Sequence, residues 1–245
     1  MSTLLQSEML ADRTLPDGND PRRDIIRFGR WLYRLGFAPG TAGNLSVRLD
    51  DETFLVTPTG VSKYLLRRRD IVRVDGEGRL LEGTRRPTSE LGMHIAFYRL
   101  RPDVHAVIHA HPPIATAFAC AGRALDELIC QEAAMTLGPV PLARYATTGT
   151  DEVAASLRPL IPGHEAVLLA NHGAVTCGSS LADAFFRMET LEHLAQIRLA
   201  AEQLGACRTL EQEQMDRLRR ARERYIRNAS ESGLREAEND RVFLA

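Results

Sequence analysis

A single lysine, Lys63, serves the whole 245-residue chain; arginine carries the other positive charges. Schiff-base chemistry needs a lysine amine, so it would have to use that one residue. Cysteine is sparse too. Cys120, Cys130, Cys177 and Cys207 form no Cys-x-x-Cys pair, and three lie in apolar segments. They read as reduced core thiols rather than a disulfide framework. No stretch approaches the ~20 apolar residues of a membrane span. The first residues lack the basic start and apolar run of a secretory signal. The net charge of -1 lacks the basic excess of a nucleic-acid binder. The expectation is a soluble, cytoplasmic protein with neither nucleic acid nor membrane as partner.

What is present is an ordinary globular composition, 44% hydrophobic and 26% charged. Residues 1–21 are polar, with Pro16, Gly18 and Pro21, and read as a flexible arm. Residues 22–35 space Ile25, Ile26, Trp31, Leu32 and Leu35 as a helix does, with Gly36 as its stop. Strands are expected at 45–49, 54–57, 71–74, 104–111, 140–145, 166–170 and 174–177. Helices are expected at 90–100, after Pro112-Pro113 to 121, at 126–137, 150–160, 180–204 and 211–228. No internal repeat or linker splits the chain. The expectation is one α/β layered domain over 22–229, followed by a polar tail at 230–245.

The chemistry concentrates around Val-His-Ala-Val-Ile-His-Ala-His at 104–111. Strand side chains alternate, so His109 and His111 share a face. Two such imidazoles reach one metal ion, at roughly 2.0–2.1 Å per nitrogen for zinc. His172, in an Asn-His-Gly turn between two later strands, is a candidate third ligand. His105 shares the strand parity and is its rival. Three imidazoles with an open fourth position is the layout of a catalytic zinc site. Glu90, opening a helix after Thr88-Ser89, is either a first-turn glutamate favoured by the helix dipole or a general acid/base. The loops at 40–46, 57–60 and 87–89 are rich in glycine, threonine, serine and asparagine. Turns of that composition can hold a phosphate on backbone amides and hydroxyls.

Together these stretches resemble the class II aldolase/adducin family. The matching segments are Thr41-Ala-Gly-Asn-Leu-Ser-Val-Arg48, Thr57-Pro-Thr-Gly60, Ser89-Glu90, His109-Ala-His111-Pro112 and Asn171-His172-Gly173. They occur in the family's order, over about 22–205. The resemblance implies a central, mainly antiparallel β-sheet flanked by helices, assembled as a homotetramer with sites at subunit contacts. The motifs are most similar to those of L-fuculose-1-phosphate aldolase and related sugar-phosphate aldolases. That likeness implies a Zn2+ site, with Mn2+ or Co2+ as substitutes, held by His109, His111 and His172. It implies Glu90 as the proton carrier, and Asn44, Thr59, Gly60, Thr88 and Ser89 around a substrate phosphate, with Gly43 shaping that loop. Glutamate at 90, rather than aspartate, points to an aldolase over a pentulose-phosphate 4-epimerase. Aldolases of this group bring in a tyrosine from the neighbouring subunit. At its place stands Gln131, which cannot transfer a proton at neutral pH: either Tyr225 on the last helix substitutes, or the aldehyde half differs, or the reaction is another one.

The implied reaction cleaves a ketose 1-phosphate to dihydroxyacetone phosphate and an aldehyde through a metal-stabilised enediolate. Fuculose, 5-deoxyribulose and methylthioribulose 1-phosphates are the substrate types. A decarboxylase or dehydratase using the same enolate is the alternative. An adducin-like binding module without catalysis is a third reading, against which the three histidines and Glu90 stand.

Overall fold

β-branched and aliphatic runs in the middle of the chain form one eight-stranded sheet in the computed structural model, which describes residues 20–205, 207–221 and 223–224. The strands are β1 (Asn44–Arg48), β2 (Thr53–Val56), β3 (Val72–Asp75), β4 (Leu80–Glu82), β5 (Ala106–Ala110), β6 (Leu142–Ala143), β7 (Ala166–Leu169) and β8 (Gly173–Gly178). Their order is β4-β3-β2-β1-β5-β8-β7-β6. Every neighbouring pair is antiparallel except β6–β7, which is parallel. The helices are α1 (Pro21–Arg34), α2 (Leu91–Leu100), α3 (Pro113–Cys120), α4 (Gln131–Thr136), α5 (Asp151–Leu157) and α6 (Leu181–Gln203). Residues 212–221 are also helical.

Helices cover both faces, which is why β5, β7 and β8 are buried along their whole length. On one face Ile25, Phe28 and Leu32 of α1 pack with Leu45, Ala106 and Ile108 of the sheet and with Phe185 and Met188 of α6. On the other, Met93 and Phe97 of α2 and Val153 and Leu157 of α5 pack on Val107, Val167 and Val175. The two cores lie on the alternating faces of β5, as its period of two requires. Among the described residues no helix is long and apolar enough to cross a membrane.

The expected layered α/β domain with a mainly antiparallel sheet is what the chain forms. The differences are local. The strand expected over 104–111 pairs only from Ala106 to Ala110. His105 is exposed, and His111 lies past the last paired residue, its N–H bonded instead to Phe37 O at 2.7 Å. The strand at 140–145 shrinks to the two-residue edge strand β6, and the helix at 126–137 to α4. Helix α1 begins at Pro21, with Asp20 accepting from Arg23 N as its cap. Residues 1–19 of the expected arm, Tyr225 and the tail at 230–245 lie outside the described residues.

Candidate active site

The sheet register builds the site before any side-chain contact is considered. Asn44 of β1 stands directly opposite His109 of β5, so their side chains share one face. On the other side of β5, Ala110 pairs with Ala174, which places Gly173 and the turn before it beside His111. That turn links β7 to β8, with Leu169 paired to Gly173. Asn171 takes a left-handed φ of 57°, which asparagine tolerates, and His172 N–H closes back onto Leu169 O at 3.0 Å. The turn thereby projects His172 toward the end of β5.

The three imidazoles converge. Ring centroids are 4.6 Å apart for His109–His172, 4.9 Å for His109–His111 and 5.1 Å for His111–His172. One nitrogen from each lies within 4.8 Å of the others. His109 Nδ1–H donates to Ala174 O at 2.9 Å, which fixes the tautomer and turns the Nε2 lone pair into the site. His111 Nε2 lies 3.1 Å from it, close to the roughly 3.3 Å that two nitrogens on one tetrahedral zinc would show. Burial and mutual repulsion hold His109 well below the ordinary imidazole range and lower His111 too. Both are therefore neutral at neutral pH, the state in which imidazole ligates. His105 is exposed and takes no part.

Glu90 is the N-cap residue of α2, but its side chain makes no capping bond. It turns into the site. Oε2 lies 3.3 Å from His109 Nε2 and Oε1 3.5 Å from His172 Nε2. Oε1 is buried with no hydrogen-bond partner. A carboxylate facing two imidazole nitrogens, with one of its oxygens orphaned, fits a cation between them. A donor set of three imidazole nitrogens suits a transition-metal dication.

Behind Glu90 runs a buried polar chain that the sequence reading did not pick out. Asn44 Nδ2 donates to Glu90 Oε2 at 2.8 Å. Its Oδ1 must then accept, and it does so from His94 Nε2–H at 2.5 Å. His94 Nδ1 is left as an acceptor for Ser46 Oγ–H, at 2.7 Å, and Ser46 Oγ accepts from Tyr98 O–H, also at 2.7 Å. The carboxylate accepts only, so this assignment of hydrogens follows from one end to the other. It needs a neutral His94, and burial provides one by pushing the imidazole down to about 3. The signal was present: Glu90, His94 and Tyr98 recur every four residues, a polar stripe along a buried helix, and Asn44 and Ser46 alternate on one strand face.

That depressed pKa fixes a pH response. The unfolded His94 takes up a proton below about 6.5, whereas the folded one does not. Folding stability is therefore complete above pH 6.5 and falls as pH drops below it. The expected slope approaches about 1.4 kcal/mol per pH unit from this one residue, and in metal-free protein His109 and His111, also lowered, steepen it further. Urea unfolding of metal-free protein at pH 7.5, 6.5 and 5.5 measures it; equal midpoints would contradict a neutral buried imidazole.

The three loops meet at a cavity of about 280 Å³ lined by Thr41, Gly43, Asn44, Thr59, Gly60, Thr88, Ser89, Glu90, His111, His172 and Thr148. This is just below the usual range for small-ligand sites. Thr59 N–H bonds Arg86 O and Thr88 N–H bonds Thr57 O, so two loops are laced together by backbone. Gly60 (φ 71°) and Gly43 (φ 73°) hold left-handed turns. Thr148 was not anticipated from sequence. Gln131, at the start of α4, is exposed and lies outside this lining. Tyr225 is outside the described residues.

Comparison with known proteins agrees with the geometry. Residues 23–199 match the model of the class II aldolase and adducin N-terminal domain. The chain is 36% identical over 208 residues to a 5-methylthioribulose-1-phosphate/5-deoxyribulose-1-phosphate aldolase of Rhodospirillum rubrum, covering 85% of this chain and 93% of that one. It is 36% identical over 181 residues to a 3-oxo-tetronate 4-phosphate decarboxylase of Escherichia coli K12, covering 72% and 84%. A solved L-fuculose 1-phosphate aldolase superposes with a TM-score of 0.77 at 35% identity, over 82% of this chain and 95% of that one.

Proposed function

The chain belongs to the class II aldolase/adducin family, and from that premise we propose that it is a metal-dependent aldolase cleaving a ketose 1-phosphate to dihydroxyacetone phosphate and an aldehyde. The observation that carries the reading is the buried, unpartnered Glu90 Oε1 facing the converged imidazoles. His109, His111 and His172 hold the ion, zinc by donor type and manganese or cobalt as substitutes. Bound there, a divalent cation supplies Lewis-acid stabilisation for the electron pair released when the carbon–carbon bond breaks.

The protein's own groups do the rest. The loops at 41–44, 59–60 and 88–89 fix the phosphate on hydroxyls and backbone N–H groups at the start of α2. One Asn44 amide proton orients Glu90, and the second remains for substrate. Glu90 carries a proton to the enediolate carbon that becomes the third carbon of dihydroxyacetone phosphate. The hydrogen lost from the cleaved substrate's hydroxyl balances it. With a single lysine in the chain, an ion rather than an iminium is the electron sink. A soluble, cytoplasmic homotetramer completes the reading. In it, Gln131, exposed on its own protomer, contributes to a neighbouring site, and Tyr225 is the candidate hydroxyl for the aldehyde oxygen.

The test is a zinc-supplemented screen of fuculose, 5-deoxyribulose and methylthioribulose 1-phosphates, read as dihydroxyacetone phosphate. Release is expected with at least one, and loss of it on chelation. Gln131 in place of tyrosine, with the decarboxylase relative, favours one second reading: decarboxylation of a phosphorylated β-keto acid, or a dehydratase on the same enolate. Carbon dioxide released together with dihydroxyacetone phosphate from 3-oxo-tetronate 4-phosphate, with no dihydroxyacetone phosphate from the ketose 1-phosphates, would decide for the decarboxylase.

A further inference from the structure

The lone lysine is not on the surface. Lys63 is 1% exposed. Its Nζ donates to Val61 O at 2.8 Å and Thr41 O at 3.1 Å. These carbonyls come from two different loops: Thr41 itself lines the cavity, and Val61 directly follows its lining residue Gly60. An ammonium carries three N–H donors, and these two carbonyls take two. Among the described residues no carboxylate lies within ion-pairing distance of it. A buried cation without an anion is unfavourable, and desolvation pulls this one from the usual lysine range down to about 8. Its backbone packs on Gly29 of α1 beside Leu66, both apolar. Its field also reaches His109, whose imidazolium it disfavours.

The cavity has the converse deficit. Its lining contains no arginine or lysine, only hydroxyls, an amide, Glu90 and two imidazoles. Of the arginines next to it, Arg85 is paired with Asp70, and Arg69 and Arg86 are solvent-exposed. A phosphate dianion held by neutral donors alone would lack a desolvated countercharge.

We propose that Lys63 is the fixed countercharge of the anion pocket, a positioning residue that clamps the 41–44 and 58–61 loops at phosphate spacing and offsets the ligand's charge from behind them without touching it. The proposal rests on the phosphate reading of these loops given above. Its consequence is reciprocal. A bound dianion must raise the Lys63 pKa, and deprotonating Lys63 must weaken anion binding. Glu90, His111 and His172 also face the cavity and His109 lies beside them, so the test uses zinc-loaded protein, in which ligation keeps the imidazoles from titrating.

One lysine in the chain means one signal. Full-length, zinc-loaded protein labelled with [ε-13C]lysine is titrated from pH 7 to 10.5, with and without saturating inorganic phosphate, whose binding is measured separately by calorimetry. The expected midpoint lies near 8 in free protein and at least one unit higher with phosphate, a tenfold or greater coupling. Phosphate affinity should fall about tenfold between pH 7.5 and 9.5. Lys63→Met should raise phosphate Kd and KM tenfold or more, with a smaller change in kcat. Should that variant fail to fold, the titration of the native chain still decides. Calorimetric binding of phosphate with an unmoved Lys63 midpoint overturns the proposal while leaving the pocket intact. No phosphate binding at all overturns the pocket reading as well.

Discussion

Replacing Glu90 by glutamine is expected to lower aldol cleavage by about 10²- to 10⁴-fold while zinc stays bound near one equivalent. The buried network forces the new amide into one orientation. Asn44 Nδ2 donates to Glu90 Oε2, and Asn44 cannot rotate to accept instead, because its Oδ1 is committed to His94 Nε2–H. The glutamine carbonyl must therefore occupy the Oε2 position, and its NH2 the Oε1 position. The geometry around the three histidines survives, since none of their nitrogens is replaced. What disappears is a group able to carry a proton at neutral pH. Turnover measured as dihydroxyacetone phosphate, beside zinc measured by atomic absorption, separates the two effects. Unchanged turnover would remove Glu90 from the proton-transfer step. Lost zinc would make it a ligand instead.

That orientation argument marks the boundary of what the residue order alone could reveal. The His-x-His pair and the Asn-His-Gly turn were legible because strand alternation and turn chemistry act over a few residues. The loop compositions were legible for the same reason. Long-range register was not. Nothing local says that Asn44 will stand opposite His109, 65 residues away, and that pairing aims Asn44 at Glu90. The ends of elements were hidden too. His111 was expected inside a strand, yet Phe37 O draws its N–H out of the ladder, so both histidines reach the same point by different backbone routes. Glu90 could be read as an ordinary first-turn glutamate because its capping bond is absent only in three dimensions. His94 was passed over as one histidine among seven, although its four-residue spacing from Glu90 lay in plain view. Gln131 sits apart from its own cavity, a separation in space that its place in the sequence does not show.

Gly173→Ala is expected to remove metal binding and destabilise the fold, the largest structural effect of any single added methyl at this site. A Cβ at Gly173 would lie 2.6 Å from His111 Cδ2, 2.7 Å from Ala110 O and 3.4 Å from His109 Cε1. The ring of His111 can swing away, and doing so takes its nitrogen from the point where the three imidazoles meet. The carbonyl of Ala110 cannot yield as cheaply. It belongs to β5, at the register step where Ala110 pairs with Ala174, in strands buried on both faces. Relief requires parting β5 from β8, so the methyl meets backbone on one side and a ligand on the other. Overpacking of this kind costs about 1–3 kcal/mol in metal-free protein. The loss grows in zinc, because the native chain gains binding free energy that the variant forfeits. Thermal unfolding with and without zinc should show a metal-dependent rise in Tm for the native chain and almost none for the variant. A variant with native zinc content and an unshifted Tm would mean that the two strands are looser here than these distances require. The requirement is steric rather than conformational, since Gly173, unlike Asn171 two residues earlier, has no left-handed φ. Glycine is needed after His172 because the turn lays its imidazole against those of β5 with no room between the backbones.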